Sequence, residues 1–257
     1  MPGYRIAQLA VRGSNPIPSL ESLAHDPKFR GIVICSTTES QMADVSLVPG
    51  KGQYVYVDWF RRDSSLYRRL DRALAARVEE ALVVRNPRLG FANIFQGVFG
   101  RSAGFGPSPR IMNFERSRLL DFEQVPRQQV KTWRNKQVLG WRTNLRRLPR
   151  PARAWLARAR QLESGIERIQ QRGGRVVIFH PPLVPESRTF TEQAVPREDY
   201  WDAFAAGSSA LVIHALDVPG LADIDFPDGS HLDYRDRNKF THALLDELER
   251  HGTFNGR

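Results

Sequence analysis

Short apolar runs alternate with segments of helical periodicity along the chain. From Tyr4 to Val11, YRIAQLAV predicts a short strand, which Gly13, Ser14, Asn15 and Pro16 then break. SLESLAHD, from Ser19 to Asp26, predicts a helix, with Ser19 placed to cap it and Glu21 in its first turn. FRGIVICS, from Phe29 to Ser36, is a continuous apolar, β-branched run between Gly31 and the polar STTES, the pattern of a buried strand in a parallel sheet. Strand, loop, helix and strand together make one βαβ unit.

The middle of the chain is less regular. Leu66, Leu70, Leu74, Val78 and Leu82 recur every four residues and predict one helix face over 64–84, ended by Pro87. Residues 90–109 carry Gly97, Gly100, Gly104 and Gly106 among aromatic side chains, as expected of a loop or lid. A polar, arginine-rich stretch follows, then a long helix from Ala152 to the glycine pair at Gly173 and Gly174. RVVIFHPPL, from Arg175, is a second buried strand stopped by Pro181 and Pro182, and ALVIHAL, from Ala210 to Leu216, is a late strand or its edge. The last helix is expected from about Asp233 to Arg250, with Gly252 beyond it.

These elements predict an α/β protein: strands near 4–11, 29–36, 175–180 and 210–216 in a parallel sheet covered by helices. The expected organisation is a single domain over 1–257, with 61–172 as a basic, mainly helical insertion or lid. Binding sites in such sheets lie at the carboxyl ends of strands. That rule selects Gly13 to Asn15, Ser36 to Ser40, His180 and the loop around Asp228 and His231 as one rim.

Composition narrows the picture little, but charge does. The lone cysteine, Cys35, lies in an apolar run and excludes a disulfide within the chain; a buried packing role is expected. No run approaches the roughly 18 apolar residues of a membrane span, and the first thirteen residues lack the regions of an export signal. A cytoplasmic location is the expectation for the chain as written. The net charge of +10 is concentrated: Arg61 to Arg172 holds 25 Lys and Arg against 9 Asp and Glu, a net of +16 that leaves −6 elsewhere. A basic segment beside an acidic remainder suits contact with an anionic polymer or an anionic membrane surface. Equally, it describes a solvated set of helices whose arginine stems cover apolar surface. Trp133 and Trp141 within it suit single-stranded nucleic acid, but no specific nucleic-acid motif is present.

The chemistry concentrates in FPDGSHLDYRDRNKF, from Phe226 to Phe240. Histidine is the usual general base near neutral pH, and a carboxylate on its second ring nitrogen sets the tautomer and stabilises the imidazolium. Asp228 and His231, three apart in a turn that Gly229 lets close, have the residue types for such a pair. Asp-Gly is also a common turn pair, and a polar loop leading into the last helix is the plainer alternative. Asp223, Asp225, Asp228, His231 and Asp233 crowd together, yet match no familiar metal-ligand spacing, and Asp233 reads as a helix cap. His180 either lines a site or is a half-buried, hydrogen-bonded histidine. No metal or cofactor is implied.

With DGSHL at Asp228 to Leu232 ahead of the last helix, and Gly13 in AVRGSNP after an early strand, the chain resembles the SGNH (GDSL-like) esterase and acyltransferase superfamily. The nearest likeness is to bacterial proteins related to envelope polysaccharide O-acetylation. The resemblance covers about residues 4–40 and 174–250. It implies a flavodoxin-like three-layer fold, an acylated small-molecule or polysaccharide substrate, and His231 and Asp228 as catalytic residues. Gly13, helped by Thr37 or Thr38, would form the oxyanion hole, with Ser14, Asn15 and His180 lining the site. STTES lacks the family's asparagine, and the family's nucleophile block, Gly-Asp-Ser, is absent from this sequence. On this likeness the first, central strand and its serine lie upstream of Met1. The chain as written is then expected to be an N-terminally shortened form in which the serine mechanism does not run, its missing segment a place for a membrane anchor. The alternative is a non-catalytic binding protein for an anionic polymer.

Overall fold

A computed structural model describes residues 15–44, 53–62, 110–112 and 118–254, together with Tyr4, Ile6, Ala7, Leu9, Leu70 and Leu74. Helices α1 (Ile17–His25), α2 (Glu39–Met42) and α3 (Gln53–Arg62) flank strand β1 (Ile32–Ser36). A hairpin of β2 (Arg110–Met112) and β3 (Arg118–Leu120) precedes α4 (Arg127–Leu145), α5 (Ala152–Ala159) and α6 (Glu163–Gln171). Then come β4 (Arg175–His180), α7 (Pro185–Ala194), α8 (Ala203–Ala205), β5 (Leu211–His214) and α9 (Arg237–Arg250).

Strands β1, β4 and β5 form a parallel sheet in the order β1-β4-β5, with Cys35 opposite Ile178 and His180 opposite His214. β4 lies in the middle, and its continuous apolar run follows from burial on both faces. Val176 and Ile178 face a core of Ile17, Leu20, Trp155, Ile166, Ile169 and Trp201. Val177 and Phe179 face a second core built from Leu221, Ile224, Phe226 and Leu248, with Phe240 and Leu244 of α9 against it. The protein is therefore α/β, with a small parallel sheet between helical layers. Among the described residues no helix is long and apolar enough to cross a membrane.

Several expectations change. The four described residues of the expected 4–11 strand are in no strand. The Leu9 carbonyl accepts from the Ser19 hydroxyl at 3.3 Å and from Gln53 Nε2 at 3.4 Å, so side chains take the place of a ladder, and Ile6 is exposed. Helix α1 starts two residues early because the Asn15 side chain accepts the Ile17 N–H at 3.0 Å, leaving Ser19 no capping role. The expected long helix from Ala152 is α5 and α6 joined through a 3-10 turn at Arg160–Leu162. It ends where Gly173, at φ +83°, turns the chain, and the Gly174 N–H reaches back to Ile169. A Cβ on Gly174 would lie 2.7 Å from an Ile169 methyl and 3.0 Å from the Gly31 carbonyl, so only glycine lets α6 hand over to β4 this closely.

The arginine-rich stretch contains α4, and α7 lies where only a break was expected. Of the 61–172 segment, α5 and α6 give Trp155, Ala159, Ile166 and Ile169 to the core. Leu70 and Leu74 are helical and exposed, and the rest of the 64–84 pattern and the 90–109 loop fall outside the described residues.

Candidate functional site

The loop after β5 is held by its own apolar side chains. Leu221, Ile224 and Phe226 are buried under α9 and fix the path of the chain, and Pro227 and Asp228 form a turn closed by the Gly229 N–H on the Phe226 carbonyl at 2.8 Å. Gly229 has φ +89°, and its Cβ position would lie 3.3 Å from Gln137 Cβ of α4. Arg134 of α4 donates to the Phe226 carbonyl at 3.2 Å and pairs with Asp225 and Glu186, so α4 braces the loop from outside.

In this turn one oxygen of Asp228 accepts the N–H groups of Ser230 and His231, at 3.0 and 2.8 Å, and the other meets His231 Nδ1 at 2.8 Å. The carboxylate only accepts, so Nδ1 carries the proton and Nε2 keeps its lone pair. The Asp228 side chain is 15% exposed and that of His231 56%. Nε2 has no protein partner among the described residues. Burial raises the Asp228 carboxyl, but the His231 ring and the Ser230 N–H outweigh it and hold the group below the ordinary aspartate range. Ser230 Oγ lies 2.9 Å from Nδ1, the nitrogen already engaged by the carboxylate, and so not at the proton-accepting end of the ring. A carboxylate that orients an imidazole whose second nitrogen opens to solvent is equipped for general base work.

A second polar cluster sits at the carboxyl ends of the three parallel strands. His180 Nε2 meets Glu39 Oε2 at 3.2 Å and Nδ1 meets the Pro181 carbonyl at 2.8 Å; both residues are buried. The His214 ring stacks on His180 at 4.4 Å, Trp201 meets both rings edge-on, and the Trp155 N–H donates to the Glu39 carbonyl. Leu216 N–H donates to His214 Nδ1 at 3.2 Å. Burial first, then the charges of His180 and Arg197, push His214 down to about 3, so this ring is neutral beside its neighbour. Burial alone would raise Glu39, but His180 reverses it, and the carboxyl titrates below its ordinary range. Glu39 and His214 had no signal in the sequence beyond lying at strand ends.

The other expected site residues divide. Thr37 is fully buried, with an Oγ1 that has no hydrogen-bond partner among the described residues. Thr38 is engaged with Ser40 at 3.1 Å. Asn15 caps α1 and donates to the Gln41 carbonyl at 2.8 Å, a structural tie between α1 and the segment after β1. Gly13 and Ser14 lie outside the described residues. No hydrogen bond or ion pair joins the His180 cluster to Asp228 and His231 among the described residues. Asp233 caps the turn before α9, accepting the Arg235 N–H at 3.0 Å and the Phe122 N–H at 3.0 Å, while Arg235 bridges Asp121, Glu123 and Asp233. Burial raises the Cys35 thiol to about 12, which suits packing and not nucleophilic chemistry. Comparison with protein-family models, with curated proteins and with solved structures gives no match.

Proposed function

We propose that this chain carries the base half of an SGNH-type ester hydrolase or O-acyltransferase, within a flavodoxin-like arrangement of its parallel sheet. The observation that carries the reading is the 2.8 Å contact of Asp228 with His231 Nδ1, which leaves Nε2 open to solvent. A hydroxyl attacks an acyl carbonyl as its proton passes to Nε2; the imidazolium that results, stabilised by Asp228, returns the proton to the departing alcohol. In the family that hydroxyl is a serine of Gly-Asp-Ser. This sequence contains no such block, so in this chain alone the attacking group is water or an acceptor alcohol. No metal or cofactor has a part in these steps.

Steady hydrolysis of p-nitrophenyl acetate tests the reading. The chain is expected to accelerate it on the order of 10²-fold over solution, as one positioned general base does, with no burst and no labelling by a fluorophosphonate. His231→Ala is expected to remove the acceleration, and Asp228→Asn to cut it by about tenfold or more by releasing the ring. A rate unchanged in His231→Ala rules the proposal out.

A further inference from the structure

We propose that the exposed basic surface running from α4 into α5 binds a carboxylated polysaccharide, and that its esters are what Asp228 and His231 act on. The second half rests on the acyl-transfer reading; the first does not. From Gln124 to Leu162 the chain has eleven Lys and Arg and neither Asp nor Glu. Among the described residues, the ion pairs of this stretch belong to Arg134, which braces the loop of the dyad. Lys131, Lys136, Arg146, Arg147, Arg150 and Arg153 are exposed, with no ion pair among the described residues.

Folding does not account for these charges. The dipole of α4 favours Arg146 and Arg147 at its C-terminal end, but Lys131 and Lys136 lie within the helix. Arg153 stands in the first turn of α5, where the dipole opposes a cation. Their exposure also means that their stems are not covering the core. Such a face attracts a polyanion.

The spacing of other groups indicates which one. Gln128, Asn135 and Asn144 lie exposed among the cations and offer neutral donors and acceptors for sugar hydroxyls. The aromatic platforms that single-stranded nucleic acid needs are not displayed. Trp155 is fully buried, and Trp141 packs against the core while donating to Thr191 at 2.8 Å. Gln137 and Arg134, which touch Gly229, put the dyad's loop directly against the helix that begins this surface.

Binding is measured on the His231→Ala protein, so the outcome does not depend on catalysis. Oligogalacturonate and single-stranded DNA of matched charge are the probes, titrated at several salt concentrations. Oligogalacturonate is expected to bind more tightly than the DNA and to weaken steeply with salt. Changing Arg146, Arg147, Arg150 and Arg153 together to Gln should weaken it by about tenfold or more, with thermal unfolding showing the variant folded. Absence of oligogalacturonate binding, tighter binding of the DNA, or equal affinity in the folded Gln variant overturns the proposal. Activity toward p-nitrophenyl acetate, measured separately on the unaltered chain, shows whether the ester reading stands or falls by itself.

Discussion

At the scale of single residues, the dyad depends on one backbone conformation. Gly229 at φ +89° lets the turn close, so that both oxygens of Asp228 are used, one by main-chain N–H groups and one by His231. An alanine there must adopt a left-handed conformation, and its methyl meets Gln137 at 3.3 Å. Gly229→Ala is therefore expected to cost about 1–2 kcal/mol of stability. It should also lower ester hydrolysis, because the loop must lift from α4 and the contact between Asp228 and His231 loosens. Chemical denaturation and the p-nitrophenyl acetate rate, measured on one preparation, check both effects; a stable variant with unaltered rate would show that the turn tolerates the change.

At the scale of elements, three parallel strands end in ionisable groups that no water reaches freely. Glu39 follows β1, His180 closes β4 and His214 closes β5. The unfolded chain takes up a proton at His214 near the ordinary value of about 6.5, while the folded chain does so only at about 3. Between these values protons favour the unfolded state, so stability falls as pH drops from about 6.5 toward 3, by up to about 1.4 kcal/mol per pH unit. Glu39, depressed by His180, acts in the same direction: its contribution is present above its unfolded value and lost as pH falls through the folded one. Urea unfolding across this range should show the decline, and His214→Asn should flatten it; an equal slope in the variant would place the acid sensitivity elsewhere.

At the scale of the whole molecule, β4 is paired on both sides, whereas among the described residues β1 and β5 each have one neighbour. The ladder alternates, with the Gly31 carbonyl and the Thr37 N–H directed to β4, so the N–H groups of Ile32, Ile34 and Ser36 point the other way. Ile34 is also 44% exposed. Native-state hydrogen exchange should find the amides of Val176 to Phe179 the slowest in the sheet, and those of Ile32, Ile34 and Ser36 much faster. Equal protection in β1 would mean that another strand pairs along that edge.

Sequence alone was enough for the strands that are buried on both sides, because a run such as Val176 to Phe179 has few other uses in water. It also placed α1, α9, the glycine stop after α6 and the Asp228 turn, all set by local spacing, turn chemistry and caps. The helix α4 was missed because its arginines mask a sparse apolar row of Val130, Val138, Trp141 and Leu145, although Pro126 just before it was an available start signal. The 4–11 segment was misread because an alternating pattern cannot say whether a sheet edge is there to receive it; the Leu9 carbonyl is taken by Ser19 and Gln53 instead. What only the tertiary structure decided is contact between distant residues. Glu39, His180 and His214 meet because β1, β4 and β5 lie in register, and Gly229 meets Gln137 because buried Leu221, Ile224 and Phe226 hold the loop under α9. Those juxtapositions come from packing across more than ninety residues of chain between Gln137 and Gly229, a range over which periodicity and spacing carry no information.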